Sequence, residues 1–294
     1  MKAKALKPGI VGGFFLGPAF CYLLLIIIYP MCYSLWASFT DLRLTRPGWS
    51  FTGFGTYASV LGNSVFRESF VLTIIFLFCV VVIEFILGFA LAYSLNRMRR
   101  THPVMRSLLI LPLMATPVTV GLIWKLMLNS NFGIITMLTS KLGFGKLMWL
   151  STPELAMISV FIMDCWHWMP FMFLVLLAGM DGLPKEPFES AAVDGAGKWF
   201  ALFHVTIPLM RRVIAITLIF RLMFAVATFD SVFVLTKGGP ARATDIIALF
   251  LFRTAFRNMN ISFASAVSYL LLIVIFTMVF TLFRRSMKNV SQTS

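Results

Sequence analysis

Long apolar stretches alternate with short polar ones along this chain, and no segment keeps a sustained two-residue alternation. Six apolar stretches stand out, approximately 12–36, 70–95, 108–128, 155–180, 213–235 and 264–283. Each exceeds the roughly 18 residues that a helix needs to cross the hydrocarbon core of a bilayer. In lipid the backbone must satisfy its own hydrogen bonds, so only helices and closed barrels can cross. A barrel would read as short segments of alternating character. The pattern therefore predicts an all-α integral membrane protein with six transmembrane helices.

The connections are not plain linkers. Ile134, Ile135, Leu138 and Leu142 form a helical stripe within 133–142, and Ile246, Leu249, Phe250 and Phe256 form another within 245–257. Both predict short amphipathic helices lying on the outer surface. Lys237-Gly238-Gly239-Pro240 is a helix stop before the second of them. With no low-complexity tract and no short-period repeat, the chain reads as one transmembrane domain over 1–294. Its core is expected at about 66–285, with a polar loop at 182–208.

Composition agrees with the spans. Hydrophobic residues make up 60% of the chain and charged residues 12%, against about 25% charged in a soluble domain. The net charge of +14 has no soluble basic domain to carry it. Flanking cations explain it, and a nucleic-acid partner is excluded from the reading. The basic start, with Lys2, Lys4 and Lys7, imitates a secretory signal. The apolar run behind it is too long for a cleaved segment, and bulky Phe20 argues against lipidation at Cys21. Lys and Arg are enriched in the segments that follow the second, fourth and sixth spans, with Arg97, Arg99, Arg100 and Arg106 crowded into one short loop. That bias places both termini in the cytoplasm. Cys21, Cys32, Cys79 and Cys165 fall inside spans without metal-type spacing and read as buried thiols.

Catalytic chemistry is hard to find. Gly143-Phe144-Gly145-Lys146 and Gly195-Ala196-Gly197-Lys198 lack the spacing and the hydroxyl of a phosphate-binding loop. His102, His167 and His204 are too scattered for a metal site, and no nucleophile–base pair has a recognisable spacing. The ionisable groups within spans are Glu84, Asp164, His167, Arg221 and Asp230. Facing lipid, each would cost about 2.5–3.5 kcal/mol on insertion scales. Asp164 and His167 share a face with Trp168 adjacent, and Arg221 shares one with Thr217, Phe224 and Thr228. Polar groups beside flat rings suit a sugar, so these residues are substrate-path candidates. The alternative reading is that they pair with one another, or with a partner subunit, to hold helices together; Asp230 reads as part of a gate near the outer mouth.

The sharpest polar feature is Glu189-Ser190-Ala191-Ala192-Val193-Asp194-Gly195-Ala196, followed by Trp199, Phe200, Phe203 and Ile207-Pro208-Leu209. Glu186 and Glu189 suit the first turns of a helix begun near Pro184, and Asp194-Gly195 makes a turn. A second helix puts Trp199 and Phe203 on one face, and Pro208 is expected to break it before the fifth span. Small residues beside an acid let another protein's backbone approach closely. A helix lying on lipid would favour large apolar and basic residues instead.

This octet resembles the EAA signature of permease subunits of bacterial binding-protein-dependent ABC importers, in particular the carbohydrate-uptake group similar to the maltose permeases. Trp166 to Pro170, Phe229-Asp230, Leu235 to Pro240 and Phe263 to Ala266 agree with that group. Ser190 departs from the usual first Ala, and Gly197 from the Ser or Thr that often caps the second helix. The resemblance implies a type I ABC importer transmembrane domain in the bacterial inner membrane. It also implies a coupling loop in which Glu189, Ala191, Ala192, Asp194, Gly195 and Ala196 enter a groove of an ATP-binding subunit. The implied partners are a second permease subunit, two ATPase subunits that hold ATP and Mg, and an extracytoplasmic solute-binding protein received at 245–257 and 133–142. The chain itself would bind no cofactor and catalyse nothing. The solute could be a carbohydrate, or a polyol or glycerol-phosphate. From another class, a proton-coupled secondary transporter would use Glu84 and Asp164 as proton carriers.

Overall fold

The structure, a computed structural model, describes Pro8–Arg97 and Pro103–Lys288. Lys2, Lys4, Lys7, Arg99 and Arg100, on which the inside assignment leans, lie outside the described residues, as do the side chains of Arg106, Arg285 and Lys288. In chain order the first helices are α1 (Pro8–Ser38), α2 (Gly55–Gly62), α3 (Ser64–Arg97), α4 (Pro103–Met114), α5 (Pro117–Met127) and α6 (Ile134–Thr139). Then come α7 (Pro153–Asp181), α8 (Glu186–Val193), α9 (Lys198–Phe200), α10 (Ile207–Val226), α11 (Asp230–Thr236), α12 (Ile247–Phe252) and α13 (Ile261–Lys288). No strand occurs among the described residues; one isolated bridge joins Thr40 and Phe51.

Among the described residues, four helices are continuous and long enough to cross a membrane: Leu16–Ser38, Ser64–Arg97, Pro153–Asp181 and Ile261–Thr281. Two further spans are broken, so counting each bent pair once gives six. The stretch expected as one helix at 108–128 is Ser107–Met114 followed by Pro117–Met127, bent by 102°. Pro117 disfavours helical geometry at Thr116, which is extended at φ −69°, ψ 147° and caps α5 by accepting the Thr119 N–H (3.4 Å). The stretch expected at 213–235 likewise bends by 48° between Val226 and Asp230. There Phe229 leaves the helical region (φ −131°), while Thr228 Oγ1 donates back to Phe224 O.

Pro208 does not end the loop helix, contrary to expectation. Lys198–Val226 runs on as one helical segment with a π turn at Ala201–Thr206 just ahead of the proline. Widening that turn keeps the pyrrolidine ring clear of the preceding carbonyls, so the chain need not stop. The stripe at 245–257 is also not a surface helix along its length. Ile246, Ile247 and Leu249 are fully buried, and the Ile247 N–H donates to Thr73 Oγ1 on α3 (2.8 Å).

By contact the chain divides into two compact units, Met1–Ser64 with Leu251–Ile273, and Val65–Phe250 with Val274–Ser294. In the first, the large apolar side chains of α1 from Leu16 to Trp36 are exposed. The loop after α1 is closed by Asp41, whose carboxylate accepts the Ser50 N–H (2.5 Å) and pairs with Arg46. The second unit holds the core. On α3 one face is buried, Thr73, Phe76, Val80, Glu84, Gly88, Ala92 and Leu95, at the three-to-four spacing of a helix. Gly88 allows α3 to touch α7, since a Cβ there would lie 2.8 Å from Met172 Cβ. Gly179 does the same between α7 and α10, where a Cβ would meet Val213 Cγ1 at 2.7 Å.

Candidate functional site: a polar loop and a buried ion triad

The loop between α7 and α10 is built as a pair of short helices. Glu186 and Glu189 occupy the first turn of α8, where negative charge complements the exposed N–H groups. The helix closes on Gly195 at φ 74°, with Gly195 N–H donating to Ala192 O (3.1 Å) and Ala196 N–H to Ala191 O (2.9 Å). These are the two bonds of a glycine-closed helix end, which only a left-handed residue permits. No side chain of α8 is buried. Val193 is 87% and Trp199 74% exposed, and Trp199 stacks on Phe203 at 6.2 Å between centroids. Pro187, Ser190, Ala191, Asp194, Gly195, Ala196, Gly197 and Phe200 line a groove between the two helices. Glu189 and Ala192 instead open onto a second cleft, of about 480 Å³, beneath the ends of α3 and α7.

Within the membrane-like core, three of the candidates form one cluster. Arg221 on α10 donates from Nε and Nη2 to both carboxylate oxygens of Glu84 on α3, the Nη2–Oε1 bond measuring 2.9 Å, and from Nη2 also to Asp164 on α7. All three side chains are essentially without exposure, at 0%, 0% and 1%. A forked guanidinium between two carboxylates is the arrangement that makes buried charge tolerable, and removing one member strands the others. The triad thus ties three helices at one depth. His167 serves a different break: its Nε2–H donates to Ala115 O (3.2 Å), the carbonyl next to the bend between α4 and α5. A carbonyl freed from its helix in lipid needs such a donor.

Beside the triad lies an aromatic surface. The Arg221 guanidinium sits 5.2 Å from the Trp168 ring centroid. Trp168 stacks on Phe224 (5.0 Å, 18°), and Phe171 meets Phe224 edge-on (5.7 Å, 85°). Phe224 is 40% exposed. Asp230 stands apart, exposed at the start of α11. The segments beyond the two breaks are locked together: a Cβ on Gly121 of α5 would lie 2.7 Å from Ser231 O on α11, and Lys125 Nζ donates to Val234 O (3.2 Å).

The structure therefore brings Glu84, Asp164, Arg221, Trp168 and Phe224 together and sets His167 against the bend; Asp230 joins neither group. Sequence reasoning missed Phe171, which shares a face with Trp168 at i+3. It also missed Arg242, which pairs with Asp245 (3.2 Å) and donates to Val65 O (3.2 Å) at the start of α3. For Arg242 the bond to Val65 O was invisible in local pattern, since that partner is far away in sequence; Asp245 is only three residues on.

Comparison with known proteins bears on the whole chain. The family described as "Binding-protein-dependent transport system inner membrane component" matches residues 84–289. The trehalose/maltose transport system permease protein MalF of Thermococcus litoralis is 34% identical over 266 residues, covering 90% of each chain. The sulfoquinovosyl glycerol transport system permease protein SmoG of Agrobacterium fabrum is 31% identical over 256 residues, 86% of this chain and 82% of the relative. A chain of the bacterial ABC transporter involved in import of the acidic polysaccharide alginate has the same fold. It superposes with a TM-score of 0.81 at 20% identity, over 95% of this chain and 97% of that one. The proton-coupled alternative is set aside by this kinship: the chain belongs to the inner membrane components of binding-protein-dependent transport systems, the permease subunits of ABC importers.

Proposed function

We propose that this permease forms half of the translocation path for a carbohydrate, in an importer whose motion is supplied through the loop 182–208. Two relatives bear names of sugar or glycoside permeases. The reading rests chiefly on one observation. The exposed, glycine-closed loop is covalently continuous with α7 and α10, the helices that carry Asp164, Trp168, Arg221 and Phe224. A push on α8 therefore reaches the aromatic surface through two helices that the triad and Gly179 hold together. Glu189, Asp194 and the small residues Ala191, Ala192, Gly195 and Ala196 form the part that enters an ATPase subunit, with both chain termini on that same cytoplasmic side.

At the other end, Trp168, Phe171 and Phe224 offer flat apolar faces to the C–H surface of a sugar ring. Thr228, one turn beyond Phe224, adds a hydroxyl at the rim. Glu84, Asp164 and Arg221 support this surface from behind. The paired segments α5 and α11, each leaving its span at a bend, move as one flap over the path. The second permease, the two ATPase subunits with ATP and Mg, and the solute-binding protein complete the machine, the last seated on 133–142. The test is Glu189→Lys in the assembled importer. Normal membrane insertion with ATP hydrolysis no longer tied to uptake is expected; unchanged coupling would overturn the reading.

A further inference from the structure

Covalent continuity links the loop to α7 and α10 but leaves α3, the helix that supplies Glu84, without a direct link to the motor. The geometry at the loop-side end of α3 provides one. Tyr93 OH donates to Lys198 O (3.3 Å), at the first residue of α9. One turn on, Asn96 Nδ2 donates to Asp181 Oδ1 (2.8 Å), the last residue of α7. The Arg97 guanidinium lies 4.5 Å from the Tyr93 ring centroid and holds that ring in place. All three residues line the cleft onto which Glu189 and Ala192 open. Further into the same unit, α3 is clamped to α7 at Gly88 and to α10 through Glu84 and Arg221.

We infer that Tyr93 is a positioning residue of the transport cycle, tying the loop to α3 so that α3, α7 and α10 respond to the motor as one body. This rests on the loop's being the coupling element. Without the tie, displacement of α9 would bend the connection into α10 at the π turn of Ala201–Thr206 while α3 stayed behind. A single hydroxyl is then a coupling determinant even though it touches neither solute nor nucleotide. The tie is made by a side chain on one helix and a backbone carbonyl on the other, so the identity of Lys198 is immaterial and that of Tyr93 is not.

The test uses the full importer in proteoliposomes, with ATP and vanadate as the probe and a Thr228→Cys reporter in a background with the four native cysteines changed to Ser. Labelling of the reporter by an impermeant maleimide, with and without ATP–vanadate, measures the switch of the path. Tyr93→Phe, which keeps the ring under Arg97, should retain ATP hydrolysis while the labelling shift shrinks about three- to tenfold, the worth of one hydrogen bond. Tyr93→Trp, whose indole N–H can reach the same carbonyl, should recover much of it. An undiminished shift in Tyr93→Phe refutes the tie. If Glu189→Lys also leaves the shift intact, or the unsubstituted complex shows none, the coupling role of the loop fails and the tie with it. If Glu189→Lys abolishes the shift while Tyr93→Phe does not, only the tie fails. Should Tyr93→Phe not assemble, Tyr93→Leu, which likewise lacks the hydroxyl, serves as the second variant with the same readings.

Discussion

Among single residues, Arg221 carries the heaviest obligation, because two carboxylates depend on it for every charged partner they have in the core. Arg221→Met should destabilise the detergent-solubilised subunit by about 3–5 kcal/mol, as removal of one member of a buried ion cluster does. Changing all three to apolar residues of similar volume should cost much less, and thermal unfolding followed by tryptophan fluorescence distinguishes the two cases. Trp168→Ala removes a stacked ring rather than a charge. It should weaken apparent solute affinity by about 1 kcal/mol, roughly fivefold, while leaving ATP hydrolysis in place. Outside the spans, Asp41 titrates abnormally: the Ser50 N–H, and then Arg46, hold its carboxyl below the usual carboxylate range. A pKa lowered by folding contributes stability above the ordinary value and loses it as the pH falls through the lowered one. The loop 39–53 should therefore stay closed from neutrality down to the ordinary Asp value of about 4 and open only as the pH falls below it. Trp49, edge-on to Trp36 at 4.8 Å, reports this in fluorescence, and Asp41→Asn should remove the pH dependence.

For whole elements, the informative places are the breaks. Apolar length alone predicted unbroken helices at 108–128 and 213–235, because hydropathy measures what lipid accepts and is indifferent to direction. Pro112 and Pro117 were visible in the sequence, yet a proline can kink a span as well as divide it. What settles the matter is His167, on a different helix, which takes up the carbonyl of Ala115. The pairing of α5 with α11 is equally non-local and depends on Gly121. Gly121→Val should overpack this contact and cost about 1–3 kcal/mol. If the pair is the flap, solute should also cross more slowly with unchanged affinity, as measured by initial uptake rates against concentration.

At the level of the whole molecule, the chain's own residues fix membrane residence and family, because both are recorded in local strings. An apolar run must be long enough for lipid, and the loop signature needs its acid, small residues and turn glycine in unbroken order. The loop's glycine-closed end accordingly stands where the octet puts it. Local order could not say which of two readings holds for Glu84, Asp164 and Arg221, contact with solute or mutual pairing. These residues are distant in sequence, and a charge in a span looks the same whether it awaits a ligand or already has a partner. Tertiary packing decided that they pair, with the guanidinium enclosed by both acids. It also decided that an aromatic surface of Trp168, Phe171 and Phe224 lies beside them, and that Tyr93, unremarkable in the sequence, reaches the loop. Periodicity and motif are properties of neighbours along the chain, whereas pairing, enclosure and transmission belong to neighbours in space.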